Sequence, residues 1–249
     1  LEAKPPLNFC SLPNLDFSKI EQKPNQPTRA ASAAVLGYLA DNVENMIVSS
    51  ADLSNSDKTD GFLKKTHPIV NGDFSGRFLN AGVSELTMAC IMNGIVLHGG
   101  MYAACGTFFV FSDYMKPAYR MAALMRLPVK YVWSHDAFRV GEDGPTHQPI
   151  EQEMQVRLLE KIKNHAGKNS MLVLRPADVY ETTEAWKMAM ENTDTPTALI
   201  LSRQNVNDLP GDRVAESKKA AKGAYIVKAC DGTPDIVMVA NGSEVSTLF

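Results

Sequence analysis

Cysteine is scarce in this chain: there are four, Cys10, Cys90, Cys105 and Cys230. None forms a Cys-x-x-Cys pair, and the wide spacing excludes a zinc-ligand pattern and the disulfide framework of a small secreted domain. Cys90 and Cys105 sit in apolar runs, where a cysteine is expected as a small buried hydrophobe. No apolar run is long enough to cross a bilayer. No basic-then-apolar leader opens the chain at LEAKPPLNFC, so the expected compartment is the cytoplasm. Net charge is only -3 with 21% charged residues, which leaves no basic footprint for nucleic acid and no disordered composition. No Gly-x-Gly-x-x-Gly follows a strand and there is no P-loop, so a dinucleotide or nucleotide site is unsupported. His98 has no second histidine at metal-ligand spacing on its helix.

What the chain does have is 45% hydrophobic residues over 249 positions, enough for a substantial core. Residues 1 to about 27 are proline-rich and aperiodic and read as an extended arm or linker. Thr28 can cap a helix running to Leu39. Met46 to Ser49 reads as a short buried strand, residues 52–76 as one long polar loop, and Arg77 to Asn80 as a second strand. Helices are expected at about Ser84 to Leu97, Ser112 to Arg126, Gln148 to Asn164 and Val179 to Met190. Strands are expected within Met101 to Val110 and at Val129 to Trp133, Met171 to Leu174 and Thr197 to Leu201. This alternation predicts an α/β fold, a parallel sheet with helices on both faces. Ligands of such sheets gather at the carboxyl ends of strands, so the loops at Asp52, Gly82, His135 and Arg203 are expected to share one rim. Residues 212–223, with Lys218, Lys219 and Lys222, read as a linker. The strand-like run Ile236 to Ala240 and a helix start with Ser243 as its cap read as the beginning of another unit, so the chain reads as a fragment of something longer.

The densest chemistry lies in the loop Gly141-Glu142-Asp143-Gly144-Pro145-Thr146-His147-Gln148-Pro149, with His135 just upstream. Loops held by rigid elements are where sites sit, and two histidines with Asp143 in one strand-end segment point to one. Glu85 opens an apolar helix. Read alone it is favourable helix electrostatics, an acid complementing the N-terminal dipole; the sharper reading is a buried acid facing a ligand. Phe108, Phe111 and Tyr114, three apart, either fill a core or clamp a flat heteroaromatic ring. Arg29 and Arg203 taken singly read as solvated, although the strand-end position of Arg203 in Leu201-Ser202-Arg203-Gln204-Asn205 suits an anion site.

Together these residues resemble the transketolase family. Residues Arg29 to Asn205 are similar to its central pyrimidine-binding domain. The Gly141-to-Pro149 loop resembles the family signature, and Leu201 to Asn205 and Ser50-Ala51-Asp52-Leu53 are similar to further family motifs. The resemblance implies the thiamine-diphosphate-binding fold for residues 28–211, a linker at 212–223, and at 224–249 the truncated start of the C-terminal domain. The implied activity moves a two-carbon ketol unit from a ketose phosphate to an aldose phosphate, in the pentose phosphate pathway, within a homodimer. The implied cofactor is thiamine diphosphate, with Glu85 hydrogen-bonding N1′ of its aminopyrimidine, Phe108, Phe111 and Tyr114 packing around that ring, and Asp52 near the cofactor at the subunit interface. Arg29, Ser56, His135 and Arg203 would bind the sugar phosphate, Asp143 would read a substrate hydroxyl, and His147 would lie near the reacting carbons. Mg or Ca would be held, with the diphosphate, by the N-terminal domain of a second subunit through a Gly-Asp-Gly and asparagine motif. This sequence contains no Gly-Asp-Gly, so the isolated chain is expected to be inactive. Three departures stand out: Ser84 where members often carry arginine, Asn55 where proline usually precedes the phosphate-binding serine, and an insertion between Gln152 and Met171 that reads as a longer solvated helix and turn. Another thiamine enzyme, such as dihydroxyacetone synthase or deoxyxylulose-phosphate synthase, is the alternative within the class, and Gln148-Pro149 after His147 favours transketolase over the latter. Outside the enzymes the alternative is a non-catalytic dimerisation module.

Overall fold

The computed structural model describes residues 15–136, 140–141 and 143–248. Cys10, most of the expected arm and Glu142 of the signature loop lie outside the described residues. The elements run in chain order α1 (Thr28–Asn42), β1 (Met46–Ser50), α2 (Ser54–Asp57), α3 (Asp60–Leu63), β2 (Phe78–Asn80), α4 (Glu85–His98), β3 (Tyr102–Phe108), α5 (Ser112–Met125), β4 (Lys130–Ser134), α6 (Gln152–Lys161), β5 (Leu172–Leu174), α7 (Val179–Glu191), β6 (Thr197–Ile200) and α8 (Arg213–Glu216).

The strands form one six-stranded sheet in the order β2-β1-β3-β4-β6-β5, and every pairing is parallel. The period-2 pleat divides the strand residues between two cores. Ala103 and Cys105 of β3, Tyr131 and Trp133 of β4 and Ala198 and Ile200 of β6 pack with Met88 and Met92 of α4 and Met115 and Tyr119 of α5. Tyr102, Ala104, Val132 and Leu199 face the other way, onto Val35 and Leu39 of α1, Phe62 of α3 and Trp186 of α7. Strands buried on both faces read as near-continuous apolar runs, and every residue of β1 and β4 is buried, so neither shows an alternating pattern. Trp186 is fully buried, and its indole donates to Ser32 Oγ at 2.8 Å. Truncating such a side chain to alanine costs about 3–5 kcal/mol.

Several expectations are corrected. The long loop at 52–76 holds two single-turn helices, α2 and α3, because Asp57 and Phe62 turn inward and are fully buried. Helix α6 starts at Gln152, not Gln148, since a residue before proline is driven out of the helical region and Gln148 is extended. Cys90 is exposed while Cys105 is buried, because α4 is apolar around its whole circumference and keeps one side outward. Leu86, Ile91 and Leu97 are exposed on it, and Ile91, Gly94, Ile95, His98, Gly99 and Met101 line an apolar groove. Residues 213–222 hold α8 and a 3-10 helix, anchored by buried Arg213, whose Nε lies 2.7 Å from Asp178 Oδ2; this leaves the linker reading of 212–223 as it stood. The run Ile236 to Ala240 forms no strand and exposes its side chains, because no strand edge pairs with it. Ser243 lies within a 3-10 helix at Gly242–Leu248 instead of capping an α-helix.

Lys130 is fully buried at the start of β4. Its Nζ donates to the carbonyls of Pro128 (2.6 Å) and Asn192 (3.0 Å) and lies 6.0 Å from the centre of the Tyr102 ring. Burial pushes it from the usual 10.5 down to about 7. The unfolded chain therefore binds the extra proton between those values, so this group makes stability rise with pH above about 7. Denaturant midpoints measured from pH 7 to 8.5 are expected to climb in the native chain relative to Lys130→Met; parallel profiles would show that the amine is not desolvated.

Candidate functional site

The site forms where the C-terminal ends of the parallel strands meet the N-terminus of α1. That helix carries no side-chain cap of its own, since Pro27 occupies the cap position. Thr28, expected as the cap, is instead the first helical residue and faces Ser202 beyond β6. Thr28 N donates to Ser202 Oγ at 3.0 Å, and Ser202 N donates to Thr28 Oγ1 at 2.7 Å. Arg29 N reaches Ser202 O at 3.4 Å. This docking places Arg29 and Arg203 at one rim, close enough that the charge of Arg203 helps to lower the pKa of Arg29, after burial as the larger cause.

Arg29 Nη1 donates to Ser56 O at 2.6 Å and approaches Ser56 Oγ at 3.4 Å. It also lies 3.5 Å from His135 Nε2. Arg29 Nε is buried without a hydrogen-bond partner among the described residues. Arg203 Nε lies 3.3 Å from Asp143 Oδ2, which is also 4.0 Å from His135 Nε2. Gly141 permits this approach: its φ is +98°, and a Cβ there would stand 3.2 Å from Arg203 Nη1.

His135 is 2% exposed and adopts a left-handed backbone, φ +61°, a conformation that costs a non-glycine residue about 1 kcal/mol or more. Its ring stacks on Phe108 with centroids 3.6 Å apart. Burial first, then Arg29, Arg203 and His147, push its pKa down to about 3. An arginine can only donate, so Nε2 is the accepting nitrogen. The proton then sits on Nδ1, which donates to Ser134 Oγ at 2.9 Å. His135 is thus a neutral, oriented imidazole, not a cation.

The aromatic stripe continues outward. Phe108 and Phe111 stack at 5.8 Å and Phe111 and Tyr114 at 6.0 Å, with the edge of His147 against Phe111 at 5.3 Å and near Phe108 at 5.9 Å. Phe108 is buried and covered by His135, which leaves Phe111, and Tyr114 at 62% exposed, as the open part of the stack. His147 Nδ1 lies 2.8 Å from Thr146 Oγ1.

The structure therefore brings Arg29, Ser56, His135, Asp143, Arg203, His147, Phe108, Phe111 and Tyr114 into one connected set. Glu85 and Asp52 stand apart from that set. Glu85 is 7% exposed at the first turn of α4, after β2 at the same sheet edge, and its carboxylate has no hydrogen bond or ion pair among the described residues. Asp52 is exposed, with φ +62°. Sequence reasoning missed Asp57, Ser134 and the Thr28–Ser202 cross-link. Asp57 lies in a polar stretch that gives no sign of its burial, and the cross-link joins residues 174 positions apart.

Residues 25–208 match the family model described as transketolase, pyrimidine binding domain. The transketolase of Halalkalibacterium halodurans is 45% identical over 221 residues, covering 88% of this chain and 31% of that protein. The transketolase of Aquifex aeolicus is 43% identical over 234 residues, covering 93% and 32%. A crystal structure of the Pichia stipitis transketolase in complex with sedoheptulose-7-phosphate superimposes with TM-score 0.82 at 38% identity, covering 94% of this chain and 34% of that one. A split gene transketolase, an inactive β4 tetramer, superimposes with TM-score 0.57 at 27% identity, covering 75% and 55%. This chain thus spans about a third of the length of the curated relatives it matches.

In ring NMR spectra of the ligand-free chain, His135 is expected to hold its neutral chemical shift from pH 8 down to about 4, with the proton on Nδ1. A midpoint near 6 would contradict the buried, cation-flanked ring.

Proposed function

The chain belongs to the transketolase pyrimidine-binding domain family, and from that premise we propose that it supplies the aminopyrimidine half of a thiamine diphosphate site together with the sugar-phosphate end of the substrate channel. The observation that supports this most is the pair Arg29 and Arg203, held at one rim close enough for their charges to act on each other, with Asp143 against Arg203. Two guanidiniums brought together at a protein surface are best matched by a phosphate dianion, which their planar forks can grip at two points. The buried Nε of Arg29, which has no hydrogen-bond partner among the described residues, is a donor for that purpose.

The residues present fit the cofactor's aminopyrimidine. The Glu85 carboxylate, without a hydrogen bond or ion pair among the described residues, is placed at the head of α4 to share a proton with a ring nitrogen, and Phe111 and Tyr114 offer aromatic faces for the ring. When bound, thiamine diphosphate supplies the carbon nucleophile that accepts the two-carbon unit. In this reading Glu85 holds the proton at N1′, Phe108 backs the stack, and Asp52 borders the cofactor. Arg29, Ser56 and Arg203 hold the phosphate. His135, neutral and oriented by Ser134, offers Nε2 as an acceptor for a sugar hydroxyl without adding charge. Asp143 and His147 face the sugar hydroxyls and the reacting carbons. A site built to bond hydroxyls discriminates strongly against analogues that lack them. The reaction we assign is ketol transfer between sugar phosphates in the pentose phosphate pathway, by a complete enzyme that works as a homodimer.

The diphosphate and its Mg or Ca are assigned to a domain of a second subunit, and the apolar outward side of α4 is the surface we assign to that subunit. A helix apolar all round is a buried helix in the finished assembly, and Leu86 and Leu97 are 43% and 59% exposed here. The split gene relative, inactive as a β4 tetramer, is consistent with a pyrimidine-side chain that assembles yet lacks activity. The relatives matched are named transketolases, and no feature of the site favours the other thiamine enzymes.

In the complete protein carrying this chain, Glu85→Gln is expected to lower kcat about a hundredfold or more, with the KM for ketose phosphate little changed. Full turnover by that variant would remove Glu85 from the mechanism.

A further inference from the structure

One buried acid lies beside the phosphate end and has no part in the roles assigned above. Asp57 closes α2, one residue after Ser56, and is fully buried. Its Oδ2 accepts from Ser50 Oγ at 2.7 Å, at the end of β1. Its Oδ1 accepts from Thr59 N at 2.8 Å and Thr59 Oγ1 at 2.7 Å. Three donors from both sides of the turn therefore converge on one carboxyl. Ser50 Oγ in turn accepts from Leu53 N at 3.1 Å, and Leu53 O accepts from Ser56 N (2.7 Å) and Asp57 N (2.8 Å). The chain then leaves through Lys58 in the left-handed region, φ +70°. Gly106 of β3 makes room for the arrangement: a Cβ there would stand 2.5 Å from Thr59 Cγ2 and 2.9 Å from Asp57 Oδ2.

The output of this turn is the position of Ser56, whose carbonyl holds Arg29 Nη1 at 2.6 Å. We infer that Asp57 is a positioning residue for the phosphate end: by tying Ser50 to Thr59 it sets the Ser56 carbonyl and hydroxyl that aim the Arg29 guanidinium. This rests on the reading of Arg29, Ser56 and Arg203 as the phosphate grip. Burial raises the carboxyl of Asp57 to about 6, against the lowering effect of its three hydrogen bonds, and its charge acts on Arg29 in turn. The group is thus electrically linked to the guanidinium as well as mechanically linked.

The test compares a ketose phosphate with the same ketose lacking phosphate as donors, in the complete protein carrying this chain. Losing the anchor of one guanidinium contact corresponds to roughly a tenfold change in apparent affinity. Asp57→Ala is expected to raise the KM for the phosphorylated donor about that much, to leave its kcat within about twofold, and to leave the phosphate-free donor unaffected. Asp57→Asn keeps an acceptor for Thr59 and a group that can donate to Ser50, so it is expected to restore the native KM. Ser50→Ala, which removes one anchor and spares the buried acid, is expected to act in the same direction as Asp57→Ala and serves where that variant does not fold. Equal losses on both donors, no loss on either, or an Asp57→Asn variant as impaired as Asp57→Ala would overturn the assignment. Arg29→Ala separates the two levels. If it raises the KM for the phosphorylated donor while Asp57→Ala and Ser50→Ala do not, the Asp57 assignment falls alone. If Arg29→Ala leaves that KM unmoved, the phosphate-grip reading falls, and the positioning role with it.

Discussion

The reciprocal bonding of Thr28 and Ser202 is the constraint on which the rim depends. A helix start leaves backbone N–H groups without intrahelical partners, and a side-chain oxygen usually covers one of them from the preceding residue. Proline at the cap position of α1 offers no such oxygen. Ser202, just beyond β6, supplies it from across the molecule, and Thr28 returns a hydroxyl to the amide of Ser202. Both residues are buried, so leaving either group unmade would expose the full desolvation penalty, about 1–3 kcal/mol. What the helix needs for its own termination thereby fixes the residues that follow: Arg29 on one side and Arg203 on the other.

The charge at that rim is then a matter of who titrates. Asp143 offsets part of the two guanidiniums and lies within reach of both Arg203 and His135. His135 contributes no positive charge, because burial and the neighbouring cations hold it neutral. A protonated imidazole there would make a third cation in a confined space, at a cost the folded chain avoids by keeping a polarised neutral ring. Its stacking on Phe108 and its Nδ1–H to Ser134 fix the ring plane, so the acceptor Nε2 faces the guanidinium without rotational freedom. A group oriented in this way selects a hydrogen-bond donor by direction, while the arginines supply the attraction for an anion.

Much of this was legible in the sequence, for identifiable reasons. The six strands and the larger helices stood out because double-sided burial produces unbroken apolar strands, and the amphipathic pattern of α5 and α7 reports packing directly. Arg203 and the histidines were legible because each follows a strand in a parallel sheet. The failures share a cause: they depend on partners far away in sequence. Asp57 looks like any acid in a polar stretch until Ser50, Thr59 and Gly106 close around it. Thr28 looks like a self-sufficient cap until Ser202 takes that role. Ile236 to Ala240 has the composition of a strand, but composition supplies no edge to pair with, and the backbone bonds that make a strand come only from a neighbour. Cys90 was misread because an all-round apolar helix gives no phase by which to tell its inner from its outer side.

That same helix joins the two incomplete features of the chain. Glu85 opens α4, and the exposed leucines, isoleucine and groove lie along it. Its inner side is fully committed to β3 and α5 through Met88, Ala89, Met92 and Val96, so the helix cannot rotate to hide the outer one. In the proposed reading the surface that covers the outer side comes from a second subunit, which arrives beside the N-terminus where the Glu85 carboxylate has no partner among the described residues. In our reading, closing the apolar face and completing the cofactor site are one event. Desolvation of the leucines would then drive the assembly, and the buried acid would gain its partner only once the second subunit brings the remainder of the site.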